Sequence, residues 1–227
     1  MIQPSHNRKP LVFGVSLLLL ILIVGGGLLL RSSNSKPTDN ATTAQSGREV
    51  RGTKTTLAPG EYIGGKDIPA GVYEAVRTKG GSGSVDIRNV DKRYEVDEIL
   101  GEDSADDSIT RARAVIQDGA SISIDDDGSV VFTPVTTPYV TTHKAVTLYA
   151  GSFVVGEDVA PGKYHVTPGA GLGGVFYVYG ASKKDVKAGH IIDSEPRDSE
   201  VASMDIDVVK GDVISVTMLR EVMLTPL

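Results

Sequence analysis

Hydrophobic and polar positions along this 227-residue chain divide it into three stretches of different character. From Leu11 to Leu30 the residues are apolar or Gly, relieved only by Ser16. Twenty helical residues rise about 30 Å, the thickness of a bilayer's hydrocarbon core. The pattern predicts a transmembrane helix over 11–30 behind a short tail, 1–10. A cleaved signal peptide would have a shorter apolar core and a small-x-small site before the cut. The run here ends Leu28-Leu29-Leu30-Arg31. Residues 31–55 are mostly Ser, Thr, Asn, Lys and Arg, too polar to offset the entropy of ordering, and read as a flexible tether.

Beyond the tether the period changes to two. Met204, Ile206 and Val208 alternate with Asp205 and Asp207. Such alternation marks a half-buried strand. Ala112, Ala114 and Ile116 stand at the matching places earlier in the chain, because this part of the sequence repeats. Gly60-Glu-Tyr-Ile-Gly-Gly-Lys-Asp-Ile-Pro-Ala-Gly-Val-Tyr73 recurs as Gly151-Ser-Phe-Val-Val-Gly-Glu-Asp-Val-Ala-Pro-Gly-Lys-Tyr164, 91 residues on. Later the offset becomes 92, with Ile122 and Ile124 meeting Ile214 and Val216. Self-similarity of this kind predicts one supersecondary unit used twice. The expected fold is all-β: two tandem copies of a small antiparallel sandwich or barrel, 56–135 and 146–227, joined by a linker at 136–145. About six short strands are expected in each.

The shared segment has a mechanical reading. Ile68-Pro69-Ala70-Gly71 suits a type I turn and Ala160-Pro161-Gly162-Lys163 a type II turn. Asp67 and Asp158 are placed to accept backbone N–H groups there. Asp67, Gly71, Tyr73, Asp158, Gly162 and Tyr164 are therefore read as a structural turn motif, not as metal ligands. At this motif the chain resembles a group of exported proteins of Gram-positive bacteria. They carry a G-x-Y-x-V-G-x-D-I-x-A/P-G-x-Y segment in a small β module, often behind an N-terminal membrane or lipid anchor. The resemblance covers residues 56–227 and implies a Gram-positive surface context, with no activity and no functional residue to transfer. The chain departs from the pattern at Gly64, where the second copy has Val155; a weaker opening strand is expected in the first copy.

Charge sharpens the division. Residues 1–55 hold seven basic and two acidic side chains, and residues 56–227 hold 16 and 27, so +5 precedes −11. An acidic distal part argues against nucleic acid as a partner. There is no Cys, hence no disulfide or thiolate site.

Catalytic and cofactor signals are weak. His6, His143, His165 and His190 form no zinc spacing. Ser33-Asn34-Ser35-Lys36 matches S-x-x-K but lies in the tether. Gly60–Lys66 has the spacing of a phosphate loop, and Asp67 then replaces the required Ser or Thr. The acidic stretch Glu95–Asp107 lacks calcium-loop spacing and reads as a solvated loop. No catalytic residue, metal or cofactor is predicted.

One lead comes from comparing the copies. Val85-Asp86-Ile87-Arg88 aligns with Phe176-Tyr177-Val178-Tyr179. With Phe176 and Val178 inward, Tyr177 and Tyr179 form an outward aromatic platform suited to a sugar ring or a protein partner. The competing expectation is that this face packs against the first copy. The sequence thus predicts a membrane-anchored extracellular binding or adhesion module, with cell-wall glycan or a protein as partner. An envelope accessory that partners another membrane protein is the alternative. A carboxylate-dependent hydrolase is the third reading.

Overall fold

The computed structural model describes residues 51–78, 81–101, 108–125, 128–135, 140, 142–169, 173–182 and 185–227. The predicted membrane helix, the tail and most of the tether lie outside the described residues. Among those described, no helix is long and apolar enough to cross a membrane.

The described chain is all-β, and each copy contributes eight strands rather than the six expected. In the first copy these are β1 (Thr55–Leu57), β2 (Gly60–Ile63), β3 (Gly71–Arg77), β4 (Gly83–Arg88), β5 (Val96–Leu100), β6 (Ala112–Ile116), β7 (Ser121–Ile124) and β8 (Val130–Pro134). The second has β9 (Val146–Leu148), β10 (Gly151–Val154), β11 (Gly162–Pro168), β12 (Gly174–Tyr179), β13 (Val186–Ile192), β14 (Met204–Val208), β15 (Val213–Thr217) and β16 (Val222–Pro226). A 3₁₀ turn, η1 (Lys92–Tyr94), precedes β5. The extra strands are short or charged and escape a two-residue period. Asp97 and Ile99 face outward from β5 while Val96, Glu98 and Leu100 are buried. The expected acidic loop therefore begins as a strand; Glu102, Asp103, Asp106 and Asp107 lie outside the described residues.

Each copy closes two four-stranded antiparallel sheets over its own core. In the first, β1-β8-β3-β6 faces β2-β7-β4-β5; in the second, β9-β16-β11-β14 faces β10-β15-β12-β13. Tyr73 and Phe132 meet edge to face at 6.1 Å and pack with Ile87, Ile122 and Ile124. Tyr164, Leu224, Val178, Ile214 and Val216 fill the matching places. Truncating a buried Phe of this kind costs about 3–5 kcal/mol.

The repeated motif holds the corner between sheets, but not at the turn expected. The hydrogen-bonded turn lies upstream, at Ile63–Asp67, with Lys66 N and Asp67 N both donating to Ile63 O. Glu157 N and Asp158 N donate likewise to Val154 O, so the turn is the same in both copies. Asp67 Oδ2 accepts from Ile63 N and Asp158 Oδ2 from Val154 N, each at 2.8 Å. Buried Tyr73 then donates back to Pro69 O at 2.6 Å, and Tyr164 to Ala160 O at 2.8 Å. Gly71 and Gly162 let the chain entering each copy cross closely. A Cβ would lie 2.3 Å from Arg51 O at the first and 2.4 Å from His143 Nε2 at the second. Gly64 is buried for a related reason: a Cβ there would stand 2.3 Å from Gln117 O. Its difference from Val155 reflects close packing, not a weaker strand.

Where β6 ends, its outward backbone groups are capped by side chains. Asn89 donates to Val115 O at 2.7 Å and accepts from Gln117 N at 2.9 Å, as a neighbouring strand would. At the matching place on β14 an ion pair does the same. Lys187 Nζ donates to Asp207 O, Asp212 Oδ2 accepts from Val209 N, and the two side chains meet at 2.6 Å. One amide supplies a donor and an acceptor; here two charged groups divide those roles.

The two sandwiches join at one seam. Strand β10 runs parallel beside β6, with Gly151 opposite Arg113, and fuses two of the sheets into one of eight strands. Arg113 N donates to Ala150 O at 2.7 Å. Alongside, η1 is capped by Asp91, which also binds the Arg93 guanidinium at 2.9 Å. Arg93 Nη1 donates to Gly180 O, and buried Ser152 donates to Arg93 O.

Candidate functional site

Strand β12 places Phe176 and Val178 in the core and turns Val175, Tyr177 and Tyr179 outward. The Tyr177 and Tyr179 rings lie side by side, centroids 5.7 Å apart and planes tilted by 34°. Tyr177 is 36% exposed. Its ring lies over Gly189 of β13, directly opposite in register; a Cβ there would stand 2.4 Å from ring carbons. The glycine leaves a seat for the ring, which fixes its orientation on a surface strand. On the other side Tyr177 is paired with Ser215 and Tyr179 with Val213.

This outer sheet face is only partly open. Ser152, Val213 and Ser215 are buried, and strands β10 and β15 approach η1 and β5 of the first copy. Tyr179, half-buried, sits at the boundary. Burial first, then Tyr177 and Glu95 nearby, raise its phenol above the usual range. Glu95 lies 3.6 Å from Arg88, which also contacts Asp97 at 3.3 Å and pairs with Asp86. The aromatic shelf is thus bordered by a cluster of carboxylates around one guanidinium. The equivalent face of the first copy carries Asp86 and Arg88 instead of the two Tyr residues.

The six motif residues are not gathered at one place; Asp158 alone of them borders the cleft at the seam described below. Asp67 and Asp158 cap turns, Tyr73 and Tyr164 are buried, and Gly71 and Gly162 lie under crossing chain. Among the described residues no group of three His, Asp or Glu is placed to hold a metal ion. His143 packs edge to face on Tyr164 at 4.6 Å. His165 Nδ1 stands 2.7 Å from Asp205 Oδ1 on the exposed side of β14.

Two interactions across the seam are not foreshadowed by the sequence reading. The first is Arg113 with Asp158, Nη2 to Oδ1 2.5 Å, both side chains buried. Arg113 also lies over Phe153, at 5.3 Å, and Arg111 over Tyr149, at 4.1 Å, while pairing with Glu74 at 3.1 Å. These residues border a cleft of about 550 Å³, and each guanidinium already has a carboxylate and a ring. The second is Glu98, whose carboxyl accepts from Met218 N at 3.0 Å across the seam. Burial pushes it up to about 8; the Met218 N–H offsets part of that, and Asp97 adds to it. One signal was available: Arg113 stands where the second copy has Asp205, a charge reversal inside an otherwise matched strand.

No protein-family model matches the chain, and neither a curated protein nor a solved structure matches it significantly.

Proposed function

We propose that this chain is a non-catalytic binding module of a Gram-positive cell surface, held by its N-terminal apolar segment as a membrane anchor. In this reading Tyr177 and Tyr179 stack on the ring of a cell-wall glycan. The observation that carries it is the paired, outward Tyr rings on a rigid strand, one of them seated over Gly189. Aromatic rings stack on flat, partly apolar surfaces, and a sugar ring's C–H face is one. The neighbouring carboxylates of Glu95 and Asp97 and the Arg88 guanidinium suit its hydroxyls. Nothing in this arrangement calls for chemistry. The one carboxyl with a strongly raised pKa among the described residues, Glu98, is turned into the seam against a backbone N–H.

The test is titration of the full chain, in mild detergent, with soluble peptidoglycan fragments, beside Tyr177→Ala/Tyr179→Ala. Stacking terms of about 0.5–1.5 kcal/mol per ring predict a loss on the order of tenfold or more. Equal binding by the double variant would end the glycan reading. The seam favours a second reading, an envelope accessory in which the two joined copies act as one spacer that partners another membrane protein. A dominant co-purifying membrane partner, retained by the double variant, would support it.

A further inference from the structure

The seam joins two non-equivalent edges of the same repeated unit, β6 of one copy and β10 of the next. Their counterparts are β14 and β2, and both are outer strands of their sheets, at opposite ends of the tandem. A contact between unlike surfaces repeats without limit unless something stops it. Here three matched positions of the seam have changed. Arg113, which pairs with Asp158, becomes Asp205, which would face Asp67. Buried Ser152, under Arg93 O, becomes Glu61, which is exposed and accepts from Ser123 at 2.7 Å. Buried Val213 becomes Ser121, also exposed. Gly60 by contrast keeps the positive φ of Gly151, 148° against 121°, so the backbone shape of the docking edge is retained.

We propose that the tandem is a closed two-unit array. Its free ends are shaped to join as β6 and β10 do, and Asp205, Asp67 and Glu61 keep a second copy of the chain from docking there. Terminal units with polar outer faces end repeat arrays in the same way. Like charges placed against each other are an effective means of refusing a partner. Charged edge strands serve the same end against sheet-to-sheet pairing. The consequence for a surface protein is that each anchored chain presents one aromatic shelf and does not grow into a fibre.

The experiment opens one end at a time. Asp205→Arg restores the seam's cation on β14; Glu61→Ser/Ser121→Val restores its small and apolar residues beside β2. Each half-variant alters exposed side chains, and each is first checked for the wild-type melting transition. Full chains in mild detergent are then compared by sedimentation velocity. The expected result is no change for wild type or either half-variant alone, and a new species of twice the wild-type mass when the two are mixed. Adding Asp67→Asn to the second half-variant should abolish it. Folded half-variants that stay apart when mixed would overturn the proposal. So would wild-type chains that join through β14 and β2 unaided.

Discussion

Arg113 and Asp158 face each other across the junction of the two sandwiches, their side chains 4% and 6% exposed. The same aspartate caps the Val154 turn with its other oxygen. Its counterpart Asp67 caps the Ile63 turn and lies outside the seam. Comparing the two separates the cap from the ion pair. Asp67→Ala should cost about 1–2 kcal/mol, the value of a lost turn hydrogen bond. Asp158→Ala also strands a buried guanidinium and should cost about 3–5 kcal/mol. Denaturant unfolding of both variants measures the difference. Equal losses would mean that the ion pair adds nothing beyond the turn.

Gly151 and Gly60 allow a similar comparison. Both have positive φ, so Ala at either strains the backbone by about 1–2 kcal/mol. At Gly60 the nearest atom to a Cβ is the Tyr62 hydroxyl at 3.5 Å, an ordinary contact. At Gly151 it is Arg113 O at 2.1 Å, a backbone atom of the other copy. Gly151→Ala should therefore loosen the seam as well. The expected outcome is a faster proteolytic cut near the linker, or separate unfolding of the two copies. Gly60→Ala should keep one transition at a slightly lower temperature.

Glu98 gives the seam a pH dependence whose sign follows from its surroundings. Its folded pKa, about 8, lies above the ordinary carboxylate value because burial penalises the charge. The folded state therefore holds a proton that the unfolded state has released. Stability from this group is complete below about pH 4.5 and is lost as pH rises through about 8. Glu98→Gln keeps the shape without the charge, and should flatten the melting temperature between pH 6 and 9. At pH 9 it should be more stable than wild type by a few kcal/mol, at about 1.4 kcal/mol per unit of pKa difference. A steeper decline in Glu98→Gln would show that another group controls the alkaline limb.

How much of this was legible follows from which forces act within one copy. Period-two strands such as Met204–Val208 and the motif repeat were readable because each strand's inner face serves its own core. Val96–Leu100 was not, because Glu98 is buried by the other copy and looks, in sequence, like one more acid in an acidic run. The turn at Ile63–Asp67 carries no Pro, whereas Pro69 and Pro161 mark turn chemistry downstream; backbone bonds to Ile63 O and Val154 O decide its place. The alternation that put Tyr177 and Tyr179 outward was local, and the structure has both on that face. What the sequence could not supply was the partial cover from η1 and β5, which depends on how the copies dock.

The seat beneath Tyr177 provides a test of the shelf that leaves both tyrosines in place. Gly189→Ala puts a Cβ where ring carbons now lie, 2.4 Å away, so the ring must lift or swing aside. Tyr177 is exposed enough to move, and the neighbouring strand is already packed through Phe176 and Val178. The fold should lose no more than about 1 kcal/mol, within the usual range for a surface change of modest strain. Glycan binding should fall nearly as far as in Tyr177→Ala, because stacking depends on the two rings keeping their 34° tilt and 5.7 Å spacing. Titration with peptidoglycan fragments, set beside thermal unfolding, reads both quantities. Full binding by Gly189→Ala would mean that the ring's orientation is irrelevant, and the stacking account would fail with it.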